Sequence, residues 1–389
     1  MRVLVADGDN RAALAIVRAL GRAGHWVAVG APGPQSLARS SKFCGQAVSY
    51  PNPAVDEAGF IAGLKRAVDD HRIDVVIPAT DISTLLIARH RGEFSASCKI
   101  PFGDADVIAC AADKVGLLKN AMRRGVPVPR TVFLEDRRSS SADLGFGYPV
   151  VVKPGRSRVR TSDGWLSCCV EYAANRRQLL QQLAARRDEE YPIALQERIQ
   201  GPGMGVFLCF TEGRTVAQFA HRRVREKPPS GGVSVLSESV AVPPQALAYA
   251  ETLLRDLQWE GVAMVEFKQD LRDGQLKLME INGRFWGSLQ LAIDAGVDFP
   301  NILLACLDGR PPATPPPYAE GVRSRWFWGH VDSVAVELLK RDANTGRDRL
   351  GALRDFLRLW GRNLYYENPR WGDLGPWLYE TRMWWTGAR

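Results

Sequence analysis

The first part of the chain alternates short apolar runs with segments of helical periodicity. Residues 3–6 form an apolar run, and the polar turn at residues 7–10 can begin the helix that the pattern predicts over residues 11–20. Further apolar runs at residues 25–29 and 74–78 predict two more strands. Because strands that alternate with helices are typical of a parallel sheet, the sequence predicts an α/β fold for this region.

A second unit, richer in strand patterns, begins near residue 111. Residues 148–153 form a short β-rich run, and residues 193–197 predict another strand. Five prolines between residues 309 and 317 cannot continue a helix or a central strand, so we place a boundary there. The predicted organisation is an N-terminal parallel α/β half-domain (1–110), a middle α/β domain (111–310), and a proline-rich linker with a mostly helical, tryptophan-rich extension (311–389).

Composition and charge exclude only some classes of ligand and partner. The chain of 389 residues has 51 Lys and Arg against 43 Asp and Glu, a net charge of +8. This excess fits the phosphates of a nucleotide as well as nucleic acid, and it also fits a surface that is basic without a specific partner. No run approaches the ~20 apolar residues that cross a bilayer. The first residues begin a strand rather than a secretory signal, so we expect a cytoplasmic protein.

The cysteines do not indicate a metal or a disulfide framework. The chain has seven of them, an odd number, and none stands in a CxxC pair. The five histidines are scattered along the chain, so a histidine-based metal cluster is not indicated either. We therefore expect reduced thiols.

The most informative stretch is a predicted β-hairpin that carries two glutamates. Two apolar runs flank Asp273-Gly274, which is a typical hairpin turn. A hairpin centred on Asp273 places Glu266 directly opposite Glu280, with Cβ atoms roughly 5 Å apart. Two carboxylates in such positions repel each other unless one is protonated or a cation lies between them. The alternative is a solvated hairpin with ordinary surface acids.

Two further polar residues share the sheet face of Glu280. Side chains two apart on a strand point to the same side, which adds Asn282 and Arg284 to this surface. Two carboxylates and an amide suit a hard cation such as Mg²⁺, with Mn²⁺ as an alternative. The sequence therefore predicts a metal site at Glu266, Glu280 and Asn282, with Arg284 beside it as a catalytic residue that can hold a transferring phosphate.

This arrangement resembles the metal motif of the ATP-grasp enzymes. In that superfamily an acid, a glutamate about fourteen residues later and an asparagine two residues beyond it stand on paired strands, as they do here. Residues 279–288 resemble the branch related to the large chains of carbamoyl-phosphate synthase, and other signals fall in the family order over residues 110–310. The resemblance implies an ATP-grasp body with a lid over about residues 115–192, and ATP and Mg²⁺ as cofactors.

The resemblance also assigns the nucleotide contacts. Two lysines would meet the phosphates, and a short interdomain hinge would hold the adenine, largely through its backbone. Without the resemblance, either lysine would more often be a solvated surface residue. Gly203 stands where many members of the superfamily have a ribose-binding carboxylate, so no ribose contact is assigned. The assigned residues are Lys114, Lys153, Gln196, Glu197 and Ile199.

Two basic segments accompany these residues. In the first, the alternating Arg156, Arg158 and Arg160 stand where the family has its phosphate-covering loop; they fit either a phosphate clamp or a charged hairpin edge. The second, residues 221–232, joins arginines to a glycine-rich loop that the resemblance puts on the acceptor side of the site. No aromatic residue interleaves these arginines, which disfavours nucleic-acid binding. The predicted residues are Arg223 as catalytic, and Arg222, Ser230, Gly231 and Gly232 as substrate-binding.

The resemblance implies a carboxylate–amine ligase. Such an enzyme activates a small-molecule carboxylate as an acyl phosphate, passes the acyl group to an amine, and releases ADP and phosphate. Three alternatives stay open: a bicarbonate-activating carboxylase of the same superfamily, a non-catalytic nucleotide sensor, and a protein that docks to a membrane or partner through its C-terminal segment, which holds seven of the eleven tryptophans. The sequence names neither substrate, and it leaves a homodimer open.

Overall fold

The structure, a computed structural model, confirms the predicted α/β class. It describes residues 1–139, 144–162, 164–228, 232–339, 349–358 and 361–387. Ser230 and Gly231 of the predicted substrate loop, and Trp360 of the tryptophan-rich segment, lie outside these ranges.

The N-terminal part is a four-stranded parallel sheet in the order β3-β2-β1-β4, flanked by helices. The side chain of Asn10 accepts a hydrogen bond from the backbone N–H of Ala12 and so caps the first helix. The elements are β1 (Arg2–Val5), α1 (Arg11–Arg22), β2 (Trp26–Ala31), β3 (Gln46–Ser49), α2 (Glu57–His71), β4 (Val75–Ile77), α3 (Asp81–Arg89), a 3₁₀ turn (Arg91–Glu93) and α4 (Ala105–Ala112).

The next part has its own small antiparallel sheet in the order β5-β10-β6-β9 and its own apolar cluster around Val150, Leu179 and Leu195. A separate two-stranded hairpin, β7–β8, carries the alternating arginines. The elements are α5 (Lys114–Arg123), β5 (Thr131–Leu134), β6 (Val150–Pro154), β7 (Arg158–Thr161), β8 (Gly164–Ser167), β9 (Glu171–Ala173), α6 (Arg176–Ala185), a 3₁₀ turn (Asp188–Glu190) and β10 (Ile193–Glu197).

The body of the protein is built on a seven-stranded sheet in the order β15-β14-β11-β12-β13-β16-β17. Its apolar residues Phe207, Trp286 and Phe299 join the same buried cluster as helix α1, so the body and the N-terminal part share a core. The elements that precede β16 are β11 (Gly203–Thr211), β12 (Arg214–Lys227), β13 (Val233–Val240), α7 (Pro244–Asp256), β14 (Gly261–Gln269), β15 (Leu276–Asn282), α8 (Leu289–Ala295) and α9 (Phe299–Leu307).

The segment after the proline-rich stretch continues this sheet and is otherwise helical. Its strand β16 pairs with β13, and β17 pairs with β16 in parallel, so the sheet extends past the boundary predicted at residue 311. Two of its tryptophans, Trp371 and Trp385, are exposed. The elements are β16 (Arg323–Arg325), α10 (Phe327–Leu339), α11 (Arg349–Leu357), β17 (Leu364–Tyr366) and α12 (Gly375–Thr386).

The C-terminal segment is also tied to the N-terminal part through a buried arginine. The Arg18 side chain is 1% exposed; its Nε donates to Asp373 Oδ2 at 2.7 Å. Its Nη1 and Nη2 donate to the backbone carbonyls of Glu367 and Asn368 at 2.7 and 2.9 Å. Each nitrogen of the guanidinium therefore has a hydrogen-bond partner in the C-terminal segment, as a buried charge requires.

Within the described ranges, no single helix is long and apolar enough to cross a membrane. Helices α8 and α9 together reach the required length and composition, but they meet at an 89° bend.

Candidate active site

The hairpin of β14 and β15 has the register that the sequence predicts. Glu266 pairs directly with Glu280, and Met264 pairs with Asn282. A bulge after Glu266 shifts the pairing by one residue towards the turn, so Phe267 lies opposite Leu278. The prediction that the two glutamates are cross-strand neighbours is confirmed.

The paired glutamates lie in a cleft between the body sheet and the small antiparallel sheet, which we call the central cleft. Its empty volume is about 1470 Å³. Most of the residues predicted from the sequence line it. They are Lys153, Gln196, Glu197, Ile199, Arg223, Gly232, Glu266, Glu280, Asn282 and Arg284.

Cationic and amide groups compensate the two carboxylates. Arg223 Nη2 donates to Glu266 Oε2 at 2.5 Å, and Lys114 Nζ lies 3.3 Å from Glu280 Oε2. Asn282 Nδ2 donates to the other oxygen of Glu280 at 3.1 Å. The repulsion expected between two facing carboxylates is therefore balanced by positive charge on both sides of the pair.

The environment separates the pKa values of the two glutamates. Burial raises the pKa of Glu280, but the charges of Lys114 and Lys153 outweigh it and hold the pKa at about 2. For Glu266, burial raises the pKa and the neighbouring Glu280 adds to the effect, against the opposing charge of Arg223. Burial lowers the pKa of Lys153, although both glutamates favour its charged form. Glu280 is thus the carboxylate whose charge is most strongly favoured.

The donor set fits a hard divalent cation. Mg²⁺ is usually held by one or two carboxylates and completes its shell with water and phosphate oxygens. Glu266, Glu280 and Asn282 offer two carboxylates and an amide oxygen from adjacent strands. In the part of the chain that the structure describes, no group of three or more His, Cys, Asp and Glu side chains is placed to hold a metal ion.

Arg284 is held by a residue of the N-terminal part that the sequence did not single out as a partner. Its Nε donates to Asp81 Oδ1 at 2.7 Å, and its Nη2 lies 3.3 Å from Asp81 Oδ2. Nη2 is also 3.4 Å from Asn282 Oδ1. Because Asp81 is the first residue of α3, the N-terminal sheet and helices orient an arginine of the predicted catalytic set.

The predicted adenine hinge is buried and well ordered by hydrogen bonds. Gln196 Nε2 donates to Thr131 Oγ1 at 3.0 Å. The Glu197 carboxylate accepts from the backbone N–H of Arg130 and from Arg272 Nη1, both at 3.0 Å. The side chain of Glu197 is therefore committed to the protein, as is its backbone N–H, which donates to the carbonyl of Arg130 at 3.0 Å.

Strand alternation divides the arginines of β12. His221 and Arg223 line the central cleft, and Arg223 Nη1 donates to the carbonyl of Gly232 at 3.3 Å. Arg222, between them, instead donates to Glu238 Oε1 on β13 at 2.8 Å, and its side chain is half-exposed. Successive side chains of a strand face opposite sides. Arg222 therefore does not line the central cleft, and its role in substrate binding stays a prediction.

The β7–β8 hairpin packs on the N-terminal part. Arg160 Nε lies 2.6 Å from Glu57 Oε1, and Trp165 Nε1 donates to the same oxygen at 2.9 Å. Arg156, Arg158 and Arg160 line a second pocket of about 870 Å³, together with Lys114 and Asn282. Both interpretations of this segment therefore have a structural basis: all three arginines face a pocket beside the predicted metal ligands, and Arg160 also pairs at a protein contact.

We expect nucleotide to slow hydrogen exchange in this hairpin. With a non-hydrolysable ATP analogue and Mg²⁺, amide exchange over residues 153–162 should slow, because phosphate would pair with Arg156 and Arg158. Residues 375–386 serve as an internal control and should not change. Glu57→Gln should speed exchange over 158–161 in the absence of nucleotide. Equal exchange with and without the analogue would show that the hairpin takes no part in nucleotide binding.

Sequence reasoning missed several residues that line the central cleft. Lys268 had a detectable signal, since it lies two residues after Glu266 on the same strand face. His221 likewise shares a face with Arg223. Arg198 lies within the predicted hinge, and Ser288 is the last residue of the segment 279–288 that carries part of the resemblance. Arg11 and Tyr172 come from distant parts of the chain, so no local pattern marks them.

One family model matches the chain. Residues 189–329 match the family described as "ATP-grasp in the biosynthetic pathway with Ter operon". This segment runs from β10 to β16 and contains both paired glutamates, Asn282 and Arg284. No curated protein matches the chain.

Solved structures show the same fold over about four fifths of the chain. An L-amino acid ligase from Bacillus licheniformis is 14% identical with a TM-score of 0.59, covering 78% of this chain and 73% of its own. A biotin carboxylase–β-γ-ATP complex from Campylobacter jejuni is 14% identical with a TM-score of 0.63, and the match covers 82% of this chain and 74% of that one. The N5-carboxyaminoimidazole ribonucleotide synthetase from Thermus thermophilus is 18% identical with a TM-score of 0.60, and the match covers 83% of this chain and 81% of that one.

Residues 189–329 thus resemble an ATP-grasp family, and the chain shares its fold with these solved structures. The predicted α/β fold of the ATP-grasp type is confirmed.

Proposed function

We propose that the protein is an ATP- and Mg²⁺-dependent ligase that joins a small-molecule carboxylate to an amine. The observation that carries this proposal is the meeting of the facing Glu266 and Glu280 with cationic side chains in one cleft with the predicted hinge. A nucleotide sensor would not need two opposed carboxylates balanced on both sides by cations. The cations are Lys153, Arg223 and Arg284, which line the cleft, and Lys114, which lines the neighbouring pocket and lies 3.3 Å from Glu280 Oε2.

Different residues at the site would bind different parts of ATP. The hinge around residues 196–199 would hold the adenine, and Lys114 and Lys153 would meet phosphate oxygens as compact charges. Glu266, Glu280 and Asn282 would hold Mg²⁺, which when bound neutralises phosphate charge.

Arg223 and Arg284 would stabilise the negative charge that builds up on the transferring phosphoryl group. Both guanidinium groups are already held by carboxylates, Arg223 by Glu226 and Glu266, and Arg284 by Asp81. Donors fixed in this way need little reorganisation during the reaction, which is the main source of electrostatic catalysis. Positioning, rather than a protein nucleophile, would therefore supply the rate enhancement.

The proposed reaction has two steps. An oxygen of the substrate carboxylate attacks the γ-phosphorus, the bond to the β–γ bridging oxygen breaks, and ADP leaves. The amine nitrogen of the second substrate then attacks the acyl carbon, loses a proton, and releases inorganic phosphate as the amide forms. Because an acyl phosphate hydrolyses in water, the reaction requires a closed cleft.

An ADP-release screen tests this proposal. Amino acids, other small carboxylic acids and bicarbonate would be combined in pairs with amines in the presence of ATP and Mg²⁺. We expect rapid ADP release only when an organic acid and an amine are both present, with amide formation in equal amount. Release that depends on bicarbonate would favour a carboxylase instead. Release that is the same without any acid would contradict carboxylate activation.

A further inference from the structure

One arginine of the central cleft comes from the N-terminal part of the chain. Arg11 is the first residue of α1, lines the central cleft, and has a side chain that is 14% exposed. It lies against Gly287 on the body: a Cβ atom at position 287 would be only 3.1 Å from Arg11 Nη2. A glycine at this position therefore leaves the room that the guanidinium occupies.

The C-terminal segment holds Arg11 from two sides. Arg11 Nη1 donates to Glu367 Oε2 at 2.5 Å, and the Glu367 side chain is only 5% exposed. The guanidinium carbon lies 4.0 Å from the ring centroid of Trp326, the distance of a cation–π contact. Trp326 is itself fixed, because its Nε1 donates to Glu380 Oε1 at 2.6 Å. A planar guanidinium can stack and donate at its edge simultaneously, which a lysine cannot.

Neutral polar groups lie beside Arg11 in the wall of the cleft. His221 Nε2 and Ser288 Oγ are 2.8 Å apart, and both residues line the cleft. His221 is 1% exposed; burial, together with the charge of Arg223, lowers its pKa to about 3, so the ring is neutral at physiological pH. Ser288 directly follows Gly287, the glycine beside the Arg11 guanidinium. The group thus combines one fixed positive charge with a hydroxyl held by a neutral ring.

We propose that Arg11 and Ser288 form the subsite that binds the carboxylate of the substrate, and that Glu367 and Trp326 position Arg11 for this role. The inference rests on the proposed ligase function and adds to it the residues that select an acid. A guanidinium edge and a hydroxyl are a suitable donor set for a carboxylate. The C-terminal segment then has a function in the active site, because it holds an arginine of the N-terminal part in the wall of the central cleft.

Malonate is a suitable carboxylate probe because the natural acid is unidentified. Its binding to the full-length protein would be measured by thermal shift and calorimetry in the presence of ADP and Mg²⁺, with inorganic phosphate in a parallel arm. We expect Arg11→Gln to weaken malonate binding by about tenfold or more, the loss typical of one hydrogen bond to a charged group. Arg22→Gln, an exposed arginine on the same helix, should bind malonate like the wild type.

Two further variants keep the test decisive if Arg11→Gln folds poorly. Gly287→Ala places a methyl group against Arg11 Nη2 and should weaken malonate binding while leaving ADP affinity unchanged. Glu367→Gln keeps the shape of the side chain but removes its charge. It should raise KM for the acid severalfold with little change in kcat, which a purely structural role would not produce.

The possible outcomes distinguish a failure of the proposed subsite from a failure of the proposed ligase function. Malonate binding that is absent in the wild type, or equal in wild type and Arg11→Gln, overturns the subsite, as does an Arg11-dependent response to phosphate alone. Loss of ADP binding in Arg11→Gln would assign Arg11 to the nucleotide and also overturns it. Arg11-dependent malonate binding without any ligation in the ADP-release screen would leave the subsite standing and contradict the ligase. Ligation in which Arg11→Gln leaves the KM for the acid unchanged would support the ligase and overturn the subsite.

Discussion

Glu280→Gln is expected to reduce Mg²⁺-dependent ADP release by at least about a hundredfold while the protein remains folded. The Glu280 carboxylate lies opposite Glu266, contacts Lys114, and has a pKa held at about 2 by the neighbouring lysines. Glutamine keeps the size of the side chain and one oxygen but removes the charge that would hold the metal. ADP release and circular dichroism would be measured on the same preparation.

The matched control for this variant is Asp273→Asn. Asp273 is an acid of the same hairpin, but it lies in the turn, with a side chain that is 41% exposed. Its variant should turn over ATP like the wild type. Undiminished turnover in Glu280→Gln would contradict the assignment of the metal site.

Asp373→Ala is expected to lower the free energy of unfolding by about 3–5 kcal/mol, the usual cost of leaving a buried charge without its partner. Arg18 is 1% exposed, and Asp373 accepts from its Nε at 2.7 Å. The Asp373 carboxylate also accepts from Ser41 Oγ and from the backbone N–H of Lys42, both at 2.8 Å. Denaturant unfolding would measure the loss.

The double variant Arg18→Met, Asp373→Leu supplies the comparison for this prediction. Replacing both charges by apolar side chains removes the unpaired charge, so the double variant should recover part of the stability, although the carbonyls of Glu367 and Asn368 lose their donor. Arg22→Ala, on the exposed side of the same helix, should cause no measurable loss. A single variant as stable as the wild type would show that this contact does not hold the C-terminal segment in place.

The part of the site that could be predicted from the sequence depends on local rules. A turn at Asp273-Gly274 and the two-residue period of a strand are enough to place Glu266 opposite Glu280, and the bulge lies on the turn side of that pair. The same period puts Asn282 and Arg284 on the surface of Glu280. These residues interact across a single hairpin, so their arrangement requires little knowledge of the rest of the fold.

The remaining features depend on contacts between distant segments. Arg11 meets Glu367 and Arg284 meets Asp81, and no local pattern encodes either pair. Strand alternation separates Arg222 from Arg223, but which of them faces the cleft is decided by how β12 pairs with β11 and β13. The prolines before residue 318 suggested a boundary, whereas β16 and β17 resume the sheet; at three residues each, such strands are too short to show a period.

Carboxylate activation is the central claim, and the isotopic composition of the released phosphate tests it most directly. The reaction would be run in ¹⁸O-labelled water with ATP, Mg²⁺ and the acid–amine mixture, and the phosphate analysed by mass spectrometry. In the proposed reaction the fourth oxygen of phosphate comes from the carboxylate, so the phosphate should carry no label. Phosphate with one ¹⁸O atom per molecule would show that water attacks ATP, and would contradict ligation through an acyl phosphate.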